Sequence, residues 1–409
     1  MDLEAHFGPE DFPIFAKEHQ KGHRLVYLDS AATTHKPRVV VEAMHDFYLS
    51  QNATVHRAVY ELAAAATDRY HHVRVKVQSL IHARSEEEII FTSGATEALN
   101  LLAFSYAETF LQPGDEILIS QAEHHANIVP WIRVCEKKQT KLIIAPLTQE
   151  GGWDQQAFEK LLTPKVKIVS IAHTTNTTGA VYPVKAIAKK AHQVGAIVIV
   201  DGAQAVAHQT IDVQDLDCDF FVFSGHKMYG PTGVGVLYGK YELLEKMPPF
   251  KTGGDMIKSV CFDEVVYQKP PLRFEAGTPM IAEVIGLGAA LDYLQALDLK
   301  KIQLHEKQIT DYALSCLEKI PSIKILGPKH ARGSLITFYV QHVHSLDLGT
   351  FLSVKGVCVR TGFMCAEPYF RENHIPSGIR ISFGVYTTFE DIDEFIKKLQ
   401  EALALITSS

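Results

Sequence analysis

The sequence predicts an α/β architecture, in which a large, mainly parallel sheet covered by helices is followed by a smaller α+β C-terminal domain. From Glu88 to about Gly239, short β-branched runs alternate with helical patterns, the order that builds a parallel sheet buried on both faces. After a Pro- and Gly-rich passage at 248–279, a long helical stretch, about 281–319, leads into strands at 334–340, 357–362 and 379–384 and a terminal helix from about 388. The length, 409 residues, exceeds what one core usually fills, so two domains are expected.

Taken in order, the opening MDLEAHFGPEDF is acidic and has no apolar run of a secretory signal. Residues 1–30 are expected to pack on the small domain or on a partner subunit, 31–280 to form the large domain, and 281–409 the small one. The strands of the large domain read EEIIFT, EILIS, KLIIAPL, VKIVSIAH, AIVIVDG, DFFVFSG and VGVLYG. Between them lie amphipathic segments such as PVKAIAKKAHQV at 183–194, which opens with Pro and closes at Gly195. The longest aliphatic runs, such as Ala196 to Val200, are strand-sized, well short of the roughly 20 residues of a membrane helix.

Composition narrows the function classes. The hydrophobic fraction of 46% and charged fraction of 21% are those of a folded chain rather than a disordered one. The net charge of -7, from 47 acidic and 40 basic residues, comes with no basic stripe to replace the counterions of a nucleic acid, so no such partner is expected. Six cysteines, at 135, 218, 261, 316, 358 and 365, include no C-x-x-C pair and no zinc spacing, so neither a metal nor a disulfide is expected. Five of them read as small buried hydrophobes. These features together predict a cytoplasmic protein.

The chemistry concentrates between Ile197 and Gly235, in IVIVDGAQAVAH and DFFVFSGHKMYGPTGVG. Asp201 ends one buried strand, and Ser224, His226 and Lys227 end a later one. Open α/β sheets bind ligands at such strand ends, so the two should converge on one site.

The chain resembles the class V aminotransferase group of fold-type I pyridoxal-phosphate (PLP) enzymes, and within it the SUF-type (group II) cysteine desulfurases and selenocysteine lyases. The resemblance runs through YLDSAATTHKP at 27–37, TSGATEALN at 92–100, EHHANIVPW at 123–131 and HTTNTTGA at 173–180. It continues in DGAQ at 201–204, SGHKMYGPTGVG at 224–235, RFEAGTP at 273–279, RTGFMCAEP at 360–368 and GIRISFG at 378–384.

This resemblance implies the PLP-dependent transferase fold and a role for each matching residue. Lys227 matches the lysine that holds PLP as a Schiff base, Asp201 the carboxylate that keeps the ring nitrogen protonated, and Gln204 the amide on the ring's phenolic oxygen. His124 matches the histidine that stacks on the ring and moves protons near the substrate. Ala95 and Thr96 open a helix whose free N–H groups suit a phosphate, with Ser224 and His226 completing the cradle. Thr278 matches a phosphate contact supplied by the opposite subunit, and His56 lies in a segment that also crosses between subunits, so a homodimer is implied. Asn176 is placed between cofactor and substrate. Arg380 matches the clamp for the substrate carboxylate, with Arg360 a second candidate.

Cys365 matches the nucleophile that takes sulfur from L-cysteine as a persulfide, leaving L-alanine. A small acceptor protein with its own cysteine would then receive that sulfur for iron–sulfur cluster assembly. Relatives carry two histidines or Gln-His before this cysteine, whereas Phe363 and Met364 stand here. Such an apolar flank is expected to cover the thiol and disfavour the thiolate. Alternative activities on the same scaffold are a selenocysteine lyase or another class V lyase or epimerase, and beyond these a non-catalytic sulfur-relay scaffold.

Overall fold

A computed structural model describes residues 9–20 and 24–407, so parts of the expected 1–30 segment lie outside the described residues. Seven strands form the large sheet: β1 (Ile89–Thr92), β2 (Glu116–Ser120), β3 (Lys141–Ala145), β4 (Val166–Ala172), β5 (Ile197–Asp201), β6 (Phe220–Ser224) and β7 (Gly235–Gly239). Their spatial order is β1-β7-β6-β5-β4-β2-β3.

The pairs β3/β2, β2/β4, β4/β5 and β5/β6 are parallel, while β7 runs antiparallel to β6 and β1. A parallel return needs a crossover of a dozen or more residues. Only residues 225–234 separate β6 from β7, and this short link reverses the chain. Side chains alternate between two cores as strand geometry requires. Val169, Ile171, Val198, Val200, Phe221 and Phe223 pack in one, and Ile168, Ile199, Phe220 and Val222 in the other.

Beyond the large sheet, β8 (Ile323–Leu326), β9 (Leu335–Val340), β10 (Arg360–Gly362) and β11 (Gly378–Ser382) form an antiparallel sheet in the order β8-β9-β11-β10. Helices Leu299–Leu317, Ser345–Val354 and Phe389–Thr407 share its separate core, built on residues such as Phe338, Ile381 and Phe395. Among the described residues no helix is long and apolar enough to cross a membrane, and no group of three His, Cys, Asp or Glu could hold a metal ion.

Three details differ from the sequence reading. The long helical stretch breaks at Asp298, whose φ of 66° ends helix Ile281–Leu297 and whose side chain accepts the Lys300 amide at 2.9 Å to cap the next helix. Strand β8 joins the small sheet unforeseen. A hairpin, Ile257–Cys261 with Glu264–Tyr267, occupies the Pro- and Gly-rich passage, where its few β-branched residues are outweighed by turn formers.

Behind β1, the Arg74 guanidinium meets Glu275 in two 2.8 Å contacts, with both side chains almost wholly buried. Glu275 also accepts the Phe91 amide at 2.8 Å and the Tyr70 hydroxyl at 3.3 Å, tying the 273–279 loop to the sheet. Removing one partner of such a pair leaves a buried charge uncompensated, at a cost of about 3–5 kcal/mol. Glu275→Gln is therefore expected to lower the unfolding free energy by about that amount, read as a fall in the urea midpoint at an unchanged m-value and fixed protein concentration. A midpoint equal to the parent's would show that the pair does not hold this loop.

Candidate active site

The C-terminal ends of the parallel strands open into a cavity of about 310 Å³. Strand β5 delivers Asp201, whose register neighbours are Ala172 of β4 and Val222 of β6. The chain can turn away at Gly202 because no side chain intervenes: a Cβ there would lie 2.0 Å from the Phe221 ring. Strand β6 delivers Ser224 and then a 3-10 turn, Gly225–Lys227, that carries Lys227 into the same cavity. The convergence expected from the two strand ends is present.

Lys227 is partly buried, and this desolvation pushes its ammonium below the ordinary lysine value, with Asp201 working in the opposite direction and Arg380 adding to the depression. Asp201 is raised by its own burial, against the opposing effects of the Ala203 amide on Oδ1 (2.9 Å) and of Lys227. His124 is pushed down to about 3 by burial, then by Lys227, His125 and Arg380. Its Nδ1 accepts the Ala126 amide at 3.0 Å, which leaves the ring proton on Nε2. His226 is likewise held down to about 4, by burial first and by Lys227 and Lys36.

One end of the cavity suits an anion. A helix begins at Ala95, continues through a π-helical stretch and ends at Phe110. Its first amide is taken by Ser224 Oγ at 2.9 Å, while those of Thr96 and Glu97 lack a carbonyl four residues back within the helix. Backbones crowd here, since a Cβ on Gly235 would stand 2.4 Å from Gly94 Cα. Thr96, Ser224 and His226 all line this end.

Arg380 closes the opposite side. Its Nη1 donates to the Asn176 carbonyl at 3.0 Å and its Nη2 meets Asp29 Oδ1 at 3.2 Å. Its Nε is buried without a partner. An unsatisfied guanidinium N–H beside a cavity is a ready donor for a carboxylate. Arg360, the register partner of Arg380 on β10, also lines the cavity. Gln204 gives one amide proton to Ala31 O at 2.7 Å, and Asn176 gives one to Met364 O at 2.5 Å. Both still face the cavity.

Cys365 is exposed and lines the cavity. The expectation that Phe363 and Met364 cover this thiol is corrected. Met364 turns inward, buried in a cluster with Ala122, Leu326, Ala366, Tyr369 and Phe370, and Phe363 lies edge-on to Phe370 at 5.6 Å, so both serve the floor of the loop. His56 and Thr278 do not line the cavity and are exposed. Residues without an assigned role in the sequence reading also belong here: Asp29 on Arg380, Lys36 on the Lys227 turn, and His125 beneath Cys365. All three stood inside quoted motifs, but nothing local in a sequence marks a partner that comes from a distant part of the chain.

A partly buried amine and a buried carboxylate on one cavity, a donor-rich end suited to an anion and an exposed thiol fit a flat cationic ring with a phosphate tail and an amino-acid substrate. The family model for class V aminotransferases matches residues 26–395, and the chain belongs to that family. Within it, the chain is 46% identical over 397 residues to a cysteine desulfurase of Dickeya dadantii, covering 97% of this chain and 96% of the relative. A probable cysteine desulfurase of Halalkalibacterium halodurans is 46% identical over 399 residues, 98% of each chain. The crystal structure of the Escherichia coli cysteine desulfurase CsdA, in an S-sulfonic acid form, superposes with a TM-score of 0.91 at 39% identity over 99% of both chains.

The depressed His124 has a consequence for stability. In the unfolded chain the imidazole takes a proton near pH 6.5, whereas in the folded chain it stays neutral down to about 3. The unfolded state thus binds more protons across that window, and stability is lost as pH falls below 6.5, at up to about 1.4 kcal/mol per pH unit. In the cofactor-free protein, His124→Gln is expected to show a smaller loss of unfolding free energy between pH 7 and pH 5 than the parent, measured by urea titration. An equal loss in both proteins would mean that His124 is not buried as a neutral ring.

Proposed function

We propose that this chain is a PLP-dependent cysteine desulfurase acting as a cytoplasmic homodimer, which converts L-cysteine to L-alanine with a persulfide on Cys365. A small acceptor protein with its own cysteine then receives the sulfur for iron–sulfur cluster assembly. The observation that carries the reading is an exposed thiol on the same cavity as a partly buried lysine, a buried carboxylate and a guanidinium with a free N–H.

When bound, PLP supplies the electron sink for bond breaking at the substrate's α and β carbons. Lys227 would hold it through the amine, and the burial that depresses this amine keeps it available as a neutral base once released. Asp201 would favour a protonated ring nitrogen, and Gln204 has an N–H left over that would serve the phenolic oxygen. Ala95, Thr96, Ser224 and His226, which line one end of the cavity, would hold the phosphate. Arg380 orients the substrate carboxylate through Nε, with Arg360 and Asn176 beside it. His124 presents a proton on Nε2. As Cys365 forms its S–S bond, the substrate C–S bond breaks. The carbon keeps the bonding pair and takes a proton, so cysteine and thiol become alanine and persulfide with no external oxidant.

Exposed apolar side chains support the dimer. Val41, Tyr48, Leu49, Val59 and Tyr60 face solvent, and Phe262 at the tip of the hairpin is fully exposed. Arg57 joins the two surfaces through Asp255 at 2.8 Å. Patches of this kind mark association surfaces, and His56 and Thr278 stay outside their own chain's cavity, as residues serving a second copy would.

Purified protein is expected to be yellow and to release alanine from cysteine. Cys365→Ser should abolish alanine release while keeping the colour, and Lys227→Ala should lose both. Alanine release that survives Cys365→Ser would remove the persulfide route and favour a lyase. Thr278→Ala and Lys227→Ala chains, each inactive alone, are expected to recover about a quarter of parental activity when coexpressed, through mixed dimers with one intact site. A fully active monomer at low concentration would overturn the composite site.

A further inference from the structure

Met364 and Cys365 both occupy left-handed backbone, φ 51° and 56°, which side chains hold only where their surroundings impose it. Several grips do so. Asn176 Nδ2 donates to the Met364 carbonyl, and Ala366 N donates to the Phe363 carbonyl at 2.8 Å. From the opposite side comes the turn His125–Asn127 of the large domain. The His125 amide donates to the Cys365 carbonyl at 2.7 Å, and the Glu367 amide donates to His125 Nε2 at 3.1 Å.

That second bond fills a gap. Helix Glu367–Glu372 has Ala366 as its N-cap, with no side-chain cap of its own, and alanine is among the poorest residues there. An imidazole from the other domain takes the free amide instead. A main-chain N–H can only donate, so Nε2 accepts and the ring proton sits on Nδ1. The same turn begins at His124, whose Nδ1 accepts from Ala126.

We propose that His125 is a positioning residue for the nucleophile: its Nε2 caps the helix that follows Cys365 and so fixes the thiol at the cavity in register with His124. The inference rests on the reading of Cys365 as the sulfur-accepting thiol. One short turn then sets both the cofactor-facing histidine and the loop that must reach the substrate sulfur.

The test uses the holoenzyme. His125→Ala is expected to raise amide exchange in the 366–372 peptide about ten-fold and to slow the first-turnover burst of alanine about ten-fold. KM for cysteine and the yellow absorbance should stay within two-fold of the parent. His125→Gln, whose Oε1 can accept near the position of Nε2, should restore both rates to within about three-fold, and it serves in place of the alanine variant if that one does not fold. Unchanged exchange and burst in His125→Ala would overturn the proposal. So would a glutamine variant as impaired as the alanine one, or loss of the cofactor in either. Increased exchange in a protein whose parent makes no alanine from cysteine would leave the cap standing and refute the desulfurase reading instead.

Discussion

A lysine amine and a carboxylate, both withdrawn from water, face one cavity at the C-terminal edge of the large sheet, and the rest of the structure is arranged around that constraint. Each group alone would be costly to bury as a charge. Burial lowers Lys227 and raises Asp201, while each moderates the other's shift. Holding them together demands rigid neighbours, which β5 and β6 provide through parallel pairing of Ile199–Asp201 with Phe220–Val222. The ring of Phe221 occupies the space beside Gly202 where any side chain would stand.

The site is completed by the segment 26–36. Tyr27 pairs with Cys358 in the small domain, Asp29 meets Arg380, Ser30 Oγ lies 2.9 Å from the Tyr386 hydroxyl, and the Ala31 carbonyl accepts from Gln204. Farther on, the hydroxyls of Thr33 and Thr34, the Thr34 amide and the Lys36 ammonium all converge on the His226 carbonyl, at 2.9 to 3.1 Å. Lys36 is held down to about 8 by burial. Its two recorded acceptors are carbonyls, those of Thr34 and His226, and they offset part of its desolvation. Arg380, Gln204 and the turn that carries Lys227 are thus braced by one strap, which couples their relative positions.

Phe363 and Met364 change meaning in this setting. A histidine flank would place polar groups beside the thiol. The apolar pair instead anchors the strained loop to Phe370 and its neighbours, leaving Cys365 open to solvent and cavity alike. A thiol held this way keeps a fixed station at the mouth of the cavity.

The α/β class, the seven strands and the convergence of Asp201 and Lys227 on one cavity were legible in the sequence, because strand periodicity, Gly and Pro punctuation and residues at strand ends are local signals, whereas Cys365 was singled out only by the family resemblance. The hairpin at 257–267 and the break at Asp298 were not, since composition over a window averages out a single left-handed residue or a four-residue strand. The burial of Met364, the cap that His125 places on another domain's helix, and the brace of Asp29 on Arg380 were also beyond reach. Asp29 and Arg380 lie 351 positions apart, and only packing of the two domains against the strap decides which polar groups meet. Sequence alone determined the fold and the chemical groups available. The tertiary structure decided their protonation and partners, because both depend on how completely water is excluded by atoms from distant parts of the chain.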